Sequence, residues 1–197
     1  MPLFVCDYCF LSSQVNSSSE LPDNIAEKLT IFVVKEHNSK NTFATVVPHK
    51  GVSDEHSMHF FFRAIMECGY TFSPICIKSD QEPAIKAVID KVREQRAAQT
   101  LIEESPIGSS ASNGSIEAAI GQVEAQIRVI RLALENNFMV KIPVMHPVMP
   151  WLVAHACFLL NRFMIGHDGM SAYQRLRKKP FNKPIVELAE TVYYKKN

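Results

Sequence analysis

The alternation of apolar and polar positions divides the chain into a strand-rich first third and a strand–helix remainder. Residues 3–11 are apolar on both faces except at Asp7, the pattern of a strand buried inside a sheet. The polar stretch SSQVNSSSELPDN, residues 12–24, reads as a loop. Residues 29–34 and 42–47 are β-branched and aromatic runs, and the polar KEHNSKN between them predicts a hairpin that Pro48 and Gly51 close. Residues 54–69 switch to helical spacing, with Phe61, Phe62, Ile65 and Met66 as the expected apolar stripe and Gly69 as the C-cap.

Strand and helix then alternate. Residues 74–78 form a short apolar strand with Asp80 just past its end. Pro83 suits the first turn of a helix that runs on over 84–96. Leu101 and Ile102 predict a brief fifth strand. SPIGSSASNGS, residues 105–115, is a Gly/Ser loop, and Ser115 is the expected N-cap of a long helix over 116–136. A further helix is expected from about 147 to 165, and ELAETVYY near the end is strand-like. The order predicts an α/β protein: a mixed sheet with helices packed on its faces.

Composition narrows this only slightly. An apolar content of 47% and a charged content of 21% over 197 residues fit one globular domain plus a tail. No apolar run approaches membrane-span length, so no membrane partner is expected. The apolar N-terminus lacks a basic leader and is not read as a signal peptide. Five irregularly spaced cysteines suit a reducing compartment better than a disulfide framework. Charge is unevenly placed: from residue 162 onward there are eight Lys/Arg against three Asp/Glu, while residues 1–161 hold 13 against 17. A basic tail on a mildly acidic body suits a polyanion, although charge alone favours the plainer reading of a solvated surface segment.

Three carboxylates stand out by position. Asp7 interrupts a buried strand, where an uncompensated carboxylate costs several kcal/mol. Asp80 ends a strand before a helix, where ligands collect in open α/β sheets and where Asp is also an ordinary cap. Glu117 opens the long helix, where an acid also complements the helix dipole. Ile116, Ile120, Val123, Ile127, Ile130 and Leu134 make that helix's core face, so Glu117 projects away from it, with Gly121 beside it and Arg128 and Arg131 further along the same side. Each acid alone has a plain structural explanation; their order and element positions argue together.

In these motifs the chain resembles the catalytic core of retroviral and long-terminal-repeat retrotransposon integrases, which have a ribonuclease-H-like fold with a mixed five-stranded sheet flanked by helices. VCDYCFL matches the family's apolar strand with its embedded Asp, IKSDQEPAI the strand ending in Ser/Thr-Asp, and SNGSIE the Asn-Gly-x-x-Glu motif. Thirty-six residues, 81–116, separate Asp80 from Glu117, close to the family's spacing. PWLVAHACFLLNRF and GMSAYQRLRKKP resemble the family's late helix and Ser-x-x-x-x-Leu segment.

The resemblance implies DNA integration by metal-dependent polynucleotidyl transfer, that is, 3′-end processing and strand transfer. Asp7, Asp80 and Glu117 would hold two divalent ions, Mg²⁺ or Mn²⁺, with Asp7 and Asp80 sharing one and Asp7 and Glu117 the other. Two such ions about 3.5–4 Å apart activate a nucleophile and stabilise a leaving oxygen. Implied partners are DNA and further copies of the chain, in a nuclear or intracellular setting. Asn113, Arg128, Arg131, Arg175, Arg177, Lys178 and Lys179 are the candidate nucleic-acid contacts. Residues 1–166 are expected to form the core and residues 167–197 a basic extension toward a DNA-binding domain. The family's zinc-binding domain is expected to lie outside this chain. The alternatives are an inactive integrase-derived nucleic-acid-binding module and a ribonuclease-H-like nuclease. Two departures stand out: a longer gap between Asp7 and Asp80, and Glu82 where many relatives have Gly.

Other constellations are read as structural. Cys6 and Cys9, three apart on a strand, should face opposite ways and hold no zinc. His56 and His59 are expected as surface residues, the phenylalanines at 60–62 as core, and Trp151 as core in preference to a subunit contact.

Overall fold

The computed structural model describes residues 1–12, 27–104 and 110–193. Of the loops expected at 12–24 and 105–115, residues 13–24 and 105–109 lie outside the described residues, whereas Ser12 ends a strand and 110–115 are helical. Five strands, β1 (Leu3–Ser12), β2 (Lys28–Glu36), β3 (Thr42–Val46), β4 (Ile75–Ser79) and β5 (Thr100–Glu104), form one sheet in the order β3-β2-β1-β4-β5. β1 pairs antiparallel with β2 and β2 with β3, whereas β1–β4 and β4–β5 are parallel. This is the expected mixed α/β sheet. Helices α1 (His56–Glu67), α2 (Pro83–Gln95), α3 (Ser110–Phe138), α4 (Met149–Phe163) and α5 (Ala172–Arg177) complete it.

Strand alternation sorts β1 onto two cores. Phe4, Cys6 and Tyr8 pack with Phe32, Val34, Phe61, Ile65 and Ile85 under α1 and α2. Val5 and Cys9 pack with Ile31, Val33, Val123, Ile127 and Leu152 under α3 and α4. A sheet covered on both faces explains the unbroken apolar run in β1, and Cys6 and Cys9 are split between the two cores as strand parity requires. On the first side, Phe61 packs tilted against Phe4 and edge-on against Phe32, with ring centroids 6.0 and 6.1 Å apart.

The loop before β4 is held by Arg96, only 7% exposed at the end of α2. Its guanidinium donates to the carbonyls of Tyr70 and Ser73 at 3.2 and 2.6 Å, and its Nε to Thr100 Oγ1 at 3.0 Å. Arg96→Met would leave these acceptors unpaired in a protected site. Urea unfolding of this variant is expected to show a loss of roughly 2–4 kcal/mol; a loss below about 0.5 kcal/mol would contradict the bracing role.

Several elements depart from the sequence reading. The buried stripe of α1 runs through Ser57, Met58, Phe61, Ala64 and Ile65, leaving Met66 exposed, because Phe62 and Met66 lie beside the stripe rather than on it. α3 begins at Ser110, so Ser115 sits inside the helix instead of capping it. Extending an already nucleated helix through weak formers costs less than starting one there. α5 was not foreseen; Ser171 Oγ caps it by accepting from Gln174 N at 3.2 Å. The strand expected at the end is absent: residues 187–193 contain a turn at 188–189, with Ala189 at a φ of 69°. Trp151, expected in the core, is 72% exposed, since α4 buries Leu152, Val153, Ala156 and Cys157 instead.

Residues 167–181 pack back on α4. Arg162 lies over the Phe158 ring at 3.7 Å, and the Phe181 ring meets Phe158, Phe163 and Tyr173 edge-on. Among the described residues, no helix is long and apolar enough to cross a membrane.

Candidate metal centre and nucleic-acid face

The β1–β4 register places the first two acids side by side. Val5 pairs with Lys78, so two residues further on Asp7 comes level with Asp80 beyond the end of β4. Both lie on the α3 face, because Val5 and Cys9 on β1 pack toward α3 while the alternate residues of β1 and β4, Cys6 and Ile77, face α1 and α2. Carboxylate oxygens of Asp7, Asp80 and Glu82 all lie within 4.8 Å of one another, and all three side chains are half-buried.

This crowding carries an electrostatic penalty. Burial raises the Asp7 carboxyl to a pKa of about 6; the Tyr8 amide, donating to Oδ1 at 2.7 Å, opposes the rise, and Asp80 and Glu82 add to it. Asp80 Oδ1 accepts the Glu82 amide at 3.1 Å, which fixes its carboxylate at the strand end. The neighbouring cation is Lys50: its Nζ meets the two Glu82 oxygens at 2.7 and 3.0 Å and lies over the Tyr8 and Phe10 rings. The loop carrying Lys50 is itself fastened to β1, as Gly51 N donates to the Tyr8 hydroxyl at 3.0 Å.

Glu117 is exposed near the start of α3 and lies outside the group that closes within 4.8 Å. The path of α3 nevertheless carries it toward Asp7. Lys35 Nζ donates to Ser115 O at 3.2 Å, and Lys35 pairs with Val5 on β1. Further along, Glu124 is the first charged neighbour acting on Cys9. α3 thus runs alongside β1 in the same direction. Stepping back two turns from Glu124 to Glu117 covers about 10 Å, or roughly three strand residues, which brings Glu117 level with Cys6 and Asp7.

The fourth carboxylate, Glu82, was noticed in the sequence only as a departure. Its signal was its place two residues after Asp80, where a short turn folds it back to the strand end.

The candidate nucleic-acid residues divide into engaged and available groups. Arg128 pairs with Glu124 at 3.1 Å on the surface. Arg131 pairs at 3.0 Å with Glu135, whose other contacts are Lys141 and the Ile142 amide. Arg175 is mostly buried, tied to Asp168 and packed so closely on Gly166 that a Cβ there would collide with the guanidinium. Its role in this structure is to close the 166–175 turn. Arg177 is exposed at the end of α5 and Lys178 and Lys179 just past it, while Asn113, half-buried in the first turns of α3, is engaged as well.

No family model and no curated protein matches this sequence. Solved structures do match, and the fold they share with this chain is that of retroviral integrase catalytic cores. A chain of the simian T-cell lymphotropic virus intasome, solved in complex with the PP2A regulatory subunit B56 gamma, is 17% identical with a TM-score of 0.66. The alignment covers 98% of this chain but 60% of that one, so this chain spans less than two thirds of the intasome protein. The BIV integrase catalytic core is 16% identical with a TM-score of 0.53, over 89% of this chain and 93% of the core. The HTLV-2 integrase core, solved with magnesium in a dimeric form, is 14% identical with a TM-score of 0.59, over 87% and 93%.

The donor set suits a hard divalent cation: oxygen ligands only, converging, half-buried and under mutual repulsion that a cation relieves. Lys50 competes with such an ion, both by its charge and by engaging Glu82. Lys50→Met is therefore expected to tighten Mg²⁺ or Mn²⁺ binding roughly three- to tenfold by calorimetry. Unchanged or weaker binding would show that Lys50 supports the centre instead.

Proposed function

We propose that this chain is the catalytic core of an integrase-type enzyme that cuts and joins DNA phosphodiesters with divalent metal. The observation that carries the reading is the juxtaposition of Asp7, midway along β1, with Asp80 at the carboxyl end of the parallel strand β4 on an integrase-core fold. Asp7 and Asp80 would hold the metal, and Glu117 would complete the set from α3. A divalent ion in that place supplies positive charge at the reacting phosphate and lowers the pKa of a water or hydroxyl nucleophile.

The chain's own residues do the rest. The Tyr8 amide on Asp7 and the Glu82 amide on Asp80 hold the two carboxylates where their oxygens converge. Lys50 neutralises Glu82, so that the extra acid does not expel an anionic substrate. Arg177, Lys178 and Lys179 offer exposed charge to a DNA backbone. Self-association and action in the nucleus are part of the same reading; the dimeric HTLV-2 core supports the first.

The test is strand transfer from a labelled DNA end in Mn²⁺ or Mg²⁺, using this chain with and without flanking domains. Product that depends on metal and on Asp80 supports the reading. Cleavage confined to RNA–DNA hybrids would move it to a ribonuclease.

A further inference from the structure

On the α3–α4 side of the sheet, the end of β2, the β2–β3 turn, the middle of α3, the end of α4 and the 165–175 segment line a cleft of about 620 Å³. Its cations are Lys35, Lys40 and Arg175, the last tied to Asp168, and His167 and the side-chain amides of Asn38 and Gln122 also line it. The one carboxylate in the lining, Asp168, is already engaged by Arg175. Among the described residues neither Lys35 nor Lys40 has a carboxylate within ion-pair distance. The lysines are therefore an unneutralised pair on a cleft whose other walls are partly apolar, with Leu160, Met164 and Ile165 among them.

Three further observations show that the pair is held in place. The Lys35 ammonium is partly desolvated and feels Lys40 as a like charge, both of which favour its neutral form; an anion would offset both. Lys40 sits at a φ of 66°, a left-handed conformation that costs a lysine roughly 1 kcal/mol and that the turn nonetheless imposes. The floor is rigid, because Asn161 clasps Thr42 through both backbone groups, at 2.9 and 2.8 Å, and locks β3 to α4.

We infer that this cleft binds a phosphate group, taken from the backbone of a nucleic acid. Lysine ammonium groups and neutral amide donors suit a tetrahedral anion, whereas a carboxylate ligand would favour a free arginine fork. The space admits a phosphodiester with its sugar. Lys35 also holds Ser115 O, two residues before Glu117, so a strand bound here would lie next to the start of α3. The inference rests on the DNA reading only for the carrier of the phosphate.

The experiment uses the full chain in chelator, so that metal chemistry does not enter, and compares it with Lys35→Gln/Lys40→Gln and with Lys40→Gln alone. The single variant changes an exposed side chain and guards against misfolding of the double one. One arm measures labelled duplex DNA by anisotropy across a salt series; the other measures inorganic phosphate by ³¹P line broadening. Expected are a duplex affinity at least tenfold weaker in the double variant, a salt slope smaller by roughly 2, and loss of the phosphate signal. Loss in the phosphate arm alone would keep the phosphate site and assign it a free phosphate ligand. No change in either arm would overturn the inference. Mg²⁺ affinity, measured separately, should be the same in all three proteins; its loss in the parent would count against the catalytic reading and leave the cleft standing.

Discussion

Asp7→Asn is expected to abolish metal-dependent strand transfer while making the metal-free protein more stable at neutral pH. Both effects follow from one carboxylate. In the folded chain its pKa is about 6, against 3.8 as the ordinary value, and burial is the main cause. The folded state therefore holds a proton between those pH values that the unfolded state has released. Stability falls as pH rises from about 4 to about 6, and at pH 7 the native state carries the full penalty. Two pH units would correspond to about 3 kcal/mol, and partial solvent access reduces that to roughly 1–2 kcal/mol. Asparagine keeps the shape and removes the charge. In EDTA at pH 7 the variant should melt roughly 3–6 °C higher, with the advantage vanishing near pH 4. Adding Mg²⁺ should reverse the ranking: at a hundred times its Kd the ion stabilises the parent by about 2.7 kcal/mol and the variant hardly at all. A variant that melts lower than the parent in EDTA at pH 7 would show that Asp7 is paired rather than strained, and the metal argument would lose its physical base.

The same carboxylate explains how much could be read from the sequence. Asp7 was legible because a charge in a two-sided apolar strand is a local contradiction, and periodicity exposes such contradictions. Asp80 was legible because a strand end before a Pro-started helix is a local event. The five strands and the two-core sheet followed from alternation, and α2 from Pro83. What periodicity could not register was which of two adjacent stripes α1 would bury, since Phe61 and Phe62 have equal hydrophobicity and the choice is made by Phe4 and Phe32 across the core. Trp151 failed for a similar reason: α4 has more apolar residues than one face can hold, and the smaller Leu152, Val153 and Ala156 fit the sheet. The basic residues were the least legible. Charge density in the sequence ranked Arg175 with Arg177, yet only the folded chain shows Arg175 bound to Asp168. Lys35 and Lys40 sit in a hairpin whose length suggests nothing but a turn, and their cleft is formed by α3 and α4, which follow much later in the chain.

The role of the third acid separates most sharply in a paired experiment. Glu117→Gln is expected to lower strand transfer at least roughly 100-fold, whereas Glu82→Gln should keep it within about fivefold. The geometry makes this a real contest, because Glu82 is the carboxylate that closes with Asp7 and Asp80 within 4.8 Å, and Glu117 is not. Two facts favour Glu117. Glu82 is neutralised by a two-oxygen contact with Lys50, so a metal would have to displace an ammonium already held at 2.7 Å. Glu117 has no ion-pair partner among the described residues and is carried level with Asp7 by a helix that Lys35 anchors two residues away, at Ser115. Metal titration should show a complementary pattern, with the Mg²⁺ affinity of Glu82→Gln lowered only modestly, by the Lys50 ammonium left unpaired beside the site and not by loss of a ligand. If Glu82→Gln instead loses activity as completely as Asp80→Asn, and Glu117→Gln retains it, the working triad is Asp7, Asp80 and Glu82. The chain would then bind its metal entirely at the β1–β4 edge, with α3 contributing packing and charge but no ligand.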